Sequence, residues 1–198
     1  MSLQHVQEQI ASRPLQPLQI RVIALAVLIN MVDGIDLLAA SLIAPIITRE
    51  WQLGPDTLGM LLSAGPLGTA AGALLLSPIA DLYGRRSSIL VNLTLMSIGM
   101  LMSAAADTVL QLTLLRFLTG MGVGAMAASV GTLVFEYCSK KTRNLGLGLV
   151  TIGYNVGVVL GGIVSLWIIS AYGWRSIFVF GGVMSAVLIP IVYFLLPE

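Results

Sequence analysis

Six long apolar stretches, at about 22–47, 57–79, 87–106, 109–135, 144–171 and 176–196, fill most of this chain and leave its charge almost entirely between them. An α-helix needs about 20 mostly apolar residues to cross a hydrocarbon core about 30 Å thick, and every stretch is long enough. The runs are continuous, whereas strands of a membrane barrel alternate over roughly ten residues. The predicted fold class is therefore all-α integral membrane, with six transmembrane helices. Composition closes the other routes. A soluble domain carries about 25% charged residues; this chain has 10 Lys and Arg and 9 Asp and Glu, 10% of 198 residues, at a net charge of +1. That charge cannot cover a soluble enzyme or grip nucleic acid, and the 57% hydrophobic content is far too high for a disordered chain.

The first 21 residues are polar and lack the apolar core and small-residue cleavage site of a removable signal peptide. They read as an N-terminal tail, with the first helix as an uncleaved insertion signal, residues 22–196 as the bundle and 197–198 beyond it. The tail and the loops after the second and fourth segments hold Arg13, Arg21, Arg85, Arg86, Lys140, Lys141 and Arg143; the other connections hold Arg49 and Arg175. Positive residues favour the cytoplasmic side, so both termini are expected in the cytoplasm. The single cysteine, Cys138, excludes an internal disulfide framework. The single histidine, His5, lies in the tail and excludes the buried Ser–His pair of an intramembrane serine protease.

An offset of 89 residues brings the halves into register: Tyr83–Ser87 (YGRRS) falls on Tyr172–Ser176 (YGWRS), Gly59 on Gly148, Gly68 on Gly157 and Gly72 on Gly161. The chain thus reads as two three-helix units, 22–106 and 109–196. An odd number of crossings turns the second upside down, the inverted construction of many secondary transporters. It also argues against three two-helix repeats of the mitochondrial-carrier type. Glycines four apart, Gly68 and Gly72, Gly120 and Gly124, then Gly153, Gly157 and Gly161, put bare backbone on one helix face for close packing.

Three ionisable groups lie within the apolar segments. Asp33 and Asp36 occupy the middle of the first, and Arg116 the outer third of the fourth. Each costs at least about 2.5–3.5 kcal/mol at a helix centre, so none is expected to face lipid unpaired. At 1.5 Å per residue Asp33 lies about 16 Å and Asp36 about 21 Å from the cytoplasmic end, with Arg116 level with Asp36. A carboxylate beside an arginine is a natural proton carrier; a static ion pair tying two helices is the plainer reading. Tyr154 and Asn155, about 15–16 Å into the fifth segment, are candidates for bonds to a polar substrate. Asn30 and Asn92 are weaker ones.

These residues carry a resemblance. SPIADLYGRR, with Asp81, Gly84, Arg85 and Arg86, is similar to the loop signature of the major facilitator superfamily, departing at Ser77 and Leu82; that loop implies a cytoplasmic gate. LTLLRFLTGMGVGA resembles the family's arginine motif and implies proton coupling at Arg116. GYNVGVVLGG resembles its antiporter glycine motif except at Val158, which argues against antiport. VDGIDLLAASLIAPIITREW is similar to the aromatic acid/proton symporter branch, with its DGxD at Asp33–Asp36. The resemblance implies a non-enzymatic carrier without bound cofactor, taking up a benzoate or hydroxybenzoate with protons across a bacterial cytoplasmic membrane. Its runner-up readings are another small organic acid and a non-transporting fragment or assembly half. Family members have twelve helices, so Pro197 and Glu198 read as the start of the central linker. The expected partners are a second six-helix half or a second copy, the bilayer and the organic acid.

Overall fold

The computed structural model describes residues 17–139 and 142–196, without the side chains of Ile79 and Asp81. His5, Arg13, Lys140, Lys141, Pro197 and Glu198 lie outside the described residues. The chain forms α1 (Pro17–Glu50), α2 (Pro55–Leu75), α3 (Ser77–Tyr83), α4 (Arg85–Ala104), α5 (Val109–Tyr137), α6 (Arg143–Tyr172) and α7 (Arg175–Leu195). All but α3 are long and apolar enough to cross a membrane. Two boundaries differ from the sequence reading. The first helix begins at Pro17, inside the expected tail, because polar residues can extend a helix beyond the hydrocarbon core. The second apolar run is two helices. Pro78 has no N–H to continue α2 and its ring clashes with the carbonyl four residues back, so α2 ends at Leu75 and α3 starts afresh.

Lipid offers helices no hydrophobic reason to associate, so close backbone contact takes over. The main packing partners run α2 to α5, α5 to α4, α4 to α7, and α1 to α6, with α7 against α1 completing the circuit. Among the described residues α2 and α6 do not touch, and the circuit stays open between them. The predicted glycines make the closest joints. Gly68 and Gly72 lie against the backbone of Phe117 and Met121, and Gly120 and Gly124 against that of Gly65 and Thr69. On the other flank Gly153, Gly157 and Gly161 meet Val27, Met31 and Ile35. A side chain at Gly72 would collide with the Met121 carbonyl.

The inverted repeat is visible in matching contacts. Gly84 and Gly173, equivalent at the 89-residue offset, both take positive φ, +84° and +82°, at the turns opening α4 and α7. Gly120 faces Gly65 and Thr69, and Gly34 faces Tyr154 and Val158, which are their repeat equivalents. Gly34 and Gly120 correspond only at an offset three residues shorter, so a single register hides that match. The ends also correspond. Arg86 donates to the Tyr193 carbonyl at 2.6 Å and Arg175 to the Ala106 carbonyl at 3.1 Å. Arg85 pairs with Glu136 at 3.3 Å, and its equivalent Trp174 donates to Glu50 at 2.7 Å.

These contacts predict which glycines the bundle requires. Gly72→Leu and Gly157→Val should each lose about 1–3 kcal/mol through overpacking. Gly59→Ala and Gly148→Ala should lose nothing, since an added Cβ there meets no atom within 4 Å. Thermal unfolding of the purified chain in detergent checks this; equal losses at all four positions would contradict the packing.

Candidate functional site

The site grows from the joint between α1 and α6. Gly34 lets the α1 backbone approach the Tyr154 carbonyl and the Val158 amide. Asp33 and Asp36 flank that contact and are buried, at 3% and 7% exposure. Two residues of the α5 glycine face, Gly120 and Gly124, pull α5 against α2, and one turn before them Arg116 reaches back to α1. Its Nη2 donates to Asp36 Oδ1 at 2.8 Å, with the arginine 4% exposed. Asp33 Oδ1 and Arg116 Nε are buried with no hydrogen-bond partner among the described residues.

A cavity of about 430 Å³ opens beside these groups. Asp33, Asp36, Arg116 and Tyr154 form its charged and polar end; Leu37, Leu61, Leu62, Pro66 and Val123 form an apolar wall. The lining comes from α1, α2, α5 and α6, the helices that border the open part of the circuit. Pro66 has no N–H to give the Leu62 carbonyl, which leaves a backbone acceptor in the wall. This is the usual make-up of a small-molecule site: mostly apolar, with a few convergent polar groups.

The candidate residues separate clearly. Asp33, Asp36, Arg116 and Tyr154 come together. Asn155 does not: it is exposed outside the cavity and donates to the Thr151 carbonyl of its own helix at 2.9 Å. One residue along a helix is a turn of 100°, enough to carry it off the face that Tyr154 occupies. Asn30 likewise bonds the Ala26 carbonyl, and Asn92 lies on α4 near Ser88, which meets Ser129 of α5. Gly84, Arg85 and Arg86 sit at the α3–α4 turn, well apart from the cavity lining. The described structure leaves out the Asp81 side chain.

The sequence pattern of the Major Facilitator Superfamily matches residues 25–198. This chain belongs to that superfamily. Among curated relatives, the 4-hydroxybenzoate transporter PcaK of Pseudomonas aeruginosa is 38% identical over 98% of this chain and 43% of its own length. The gallate transporter of Pseudomonas putida is 36% identical over the same shares, and the benzoate transport protein of Acinetobacter baylyi is 31% identical over 98% and 42%. The chain therefore spans less than half the length of the curated relatives it matches. In fold it is similar to a bacterial homologue of the lysosomal transporter Spinster, inward-facing and unoccupied, with a TM-score of 0.81 at 21% identity over 92% of this chain and 44% of that one. The proton:xylose symporter XylE gives 0.81 at 18% over 88% and 44%. The chain thus carries a six-helix bundle of that superfamily, and the curated relatives named here are transporters.

Within this superfamily bundle one site residue carried no sequence signal. Phe178 is fully buried and its ring centroid lies 4.9 Å from the Arg116 guanidinium carbon. Trp174 packs edge-on against Phe178 at 6.1 Å, and Trp51 against Trp174 at 5.6 Å. An aromatic column thus runs from the Glu50–Trp174 hydrogen bond down to the arginine. The four-residue step from Trp174 to Phe178 puts both on one helix face, but nothing in the sequence aims that face at Arg116.

A buried pair of this kind predicts a strong coupling. Arg116→Met leaves the Asp36 charge without its partner and should lose about 3–5 kcal/mol. The Arg116→Met, Asp36→Leu double variant should regain much of that loss. Additive losses in a double-mutant cycle on the purified chain would show that the two side chains do not act as a pair.

Proposed function

We propose that this bundle forms one wall of a proton-coupled carrier for a small aromatic carboxylate of the benzoate or hydroxybenzoate class. The observation that carries the reading is Arg116 held by Asp36, with the unpartnered Asp33 beside it, at the polar end of an otherwise apolar cavity. A proton on Asp36 removes the charge that holds Arg116 and frees its guanidinium for the planar carboxylate of a substrate. The apolar wall of Leu61, Leu62 and Pro66 suits the ring, and Tyr154 adds a hydroxyl. Loss of the proton returns Asp36 to Arg116 and expels the substrate carboxylate. Asp33 serves as a second proton or substrate group. The 4-hydroxybenzoate, gallate and benzoate relatives support the substrate class.

The open circuit and the length of the relatives favour a second six-helix unit, a C-terminal half or a second copy, closing the cavity across α2 and α6. The 198-residue chain without such a unit does not perform coupled transport. The excess of Lys and Arg on alternate connections supports cytoplasmic termini, and the bacterial relatives support a bacterial inner membrane.

Uptake of radiolabelled 4-hydroxybenzoate by cells producing the chain together with a second half tests the coupling. Uptake should collapse with a protonophore and fall to background in the Asp33→Asn, Asp36→Asn double variant; wild-type rates in that variant would falsify the coupling role. Proton-driven uptake by the purified monomer in liposomes would overturn the need for a second unit. For orientation, a membrane-impermeant thiol reagent should label Gln52→Cys in intact cells, and Tyr83→Cys after permeabilisation alone, in a Cys138→Ser background.

A further inference from the structure

The cavity beside Arg116 has a second polar feature, made by two prolines rather than by charge. Pro45 lies inside α1 and Pro66 inside α2. A proline has no N–H for the carbonyl four residues back, so the Ser41 and Leu62 carbonyls lack their ordinary helical partners. Both residues line the cavity. In a membrane helix such freed carbonyls are normally taken up by a neighbouring side chain or by water, and no side chain among the described residues donates to either. The Ser41 hydroxyl is open as well. Thr69, the other aliphatic hydroxyl of the lining, donates to the Gly65 carbonyl at 3.1 Å, a common habit of serine and threonine in helices. Ser41 is exposed to the cavity and its hydroxyl bonds nothing among the described residues.

These oxygens stand at one level. Counting 1.5 Å per residue from the α1–α2 connection, between Glu50 and Pro55, puts Ser41 about 13.5 Å and Leu62 about 10.5 Å into the bundle. Asp36, which holds Arg116, is about 21 Å in by the same count. The separation of roughly 7.5–10 Å suits a benzene ring with its carboxylate at Arg116 and a substituent opposite, with a hydrogen bond at each end. The only charged groups of the lining are Asp33, Asp36 and Arg116. Two carbonyls that can only accept, beside a hydroxyl that can do either, therefore call for a neutral donor and not for a second carboxylate.

We propose that Ser41 and the two proline-freed carbonyls read a hydroxyl on the ring opposite the carboxylate, so that the site selects a para-hydroxylated aromatic acid over benzoate itself. The phenolic O–H donates to a freed carbonyl, and the Ser41 hydroxyl donates to the phenolic oxygen. Benzoate leaves all three groups unpaired, which is how a site built to bond a hydroxyl rejects the analogue without one. This subsite rests on the carrier reading above and assigns it a specificity that Arg116 and the aspartates cannot supply, since both acids carry the same carboxylate.

Uptake of radiolabelled 4-hydroxybenzoate, benzoate and 4-methylbenzoate, each at limiting concentration in cells producing the chain with a second half, tests it. The wild type should take up 4-hydroxybenzoate at least about fivefold faster than benzoate, the factor that one net hydrogen bond supplies. 4-Methylbenzoate, similar in size at that position but without an O–H, should follow benzoate. Ser41→Ala should bring the ratio below about twofold, and a ratio taken in the same cells cancels any change in the amount of folded protein. Pro66→Ala gives the Leu62 carbonyl an amide partner and should lower the ratio by a separate route, which covers a failure of Ser41→Ala to fold. Equal rates for 4-hydroxybenzoate and benzoate in the wild type, a ratio unchanged in Ser41→Ala or Pro66→Ala, or 4-methylbenzoate keeping pace with 4-hydroxybenzoate overturns the subsite and leaves the carrier reading standing. Uptake of none of the three acids overturns the carrier reading, and the subsite with it.

Discussion

Bare backbone against bare backbone is the contact on which this bundle depends. In a bilayer an exposed leucine is already in an apolar solvent, so apolar side chains do not by themselves choose a helix's neighbours. The glycines do: they seat α2 on α5 and α1 on α6, with carbonyls and amides of the partner helix directly beneath them. That pairing leaves α2 and α6 apart, and the cavity lies on the side they leave open. The glycine between the two aspartates belongs to the same system. Gly34 brings α1 so close to α6 that Asp33 and Asp36 are carried inward beside Tyr154.

The polar groups obey a different constraint. Asp36 and Arg116 each lose hydration on burial and recover it only in their mutual bond, so the pair has a structural reason to exist whatever else it does. Asp33 has no such reason. It is buried with an oxygen that bonds nothing among the described residues. Phe178 gives the buried guanidinium a favourable aromatic face as well as its carboxylate.

Much of this was legible in the residues themselves. The number of membrane-spanning helices follows from the apolar runs, and counting 1.5 Å per residue sets Arg116 level with Asp36 before any contact is seen. Glycines four apart mark packing faces because no other residue allows such approach. What stayed hidden has a common cause. These helices are apolar almost all round, so no amphipathic stripe tells which side faces the interior. Tyr154 and Asn155 are neighbours in sequence and similar in polarity, yet one lines the cavity and the other does not. Phe178 could have faced lipid equally well. The shorter register between α1 and α5 hides behind the better match at 89 residues, and Pro78 breaks a run that hydropathy alone leaves continuous.

The exchange of partners between the repeats also has a temporal side. Each helix on the site finds its main neighbour in the other three-helix unit: α1 in α6, α2 in α5. Asp36 is made 80 residues before Arg116. At about 5–20 residues per second, roughly 4–16 s pass before the arginine is synthesised. During that interval Asp36 lacks the partner that α5 brings. The ion pair at the centre of the finished bundle therefore cannot form until most of the chain up to α5 has been made.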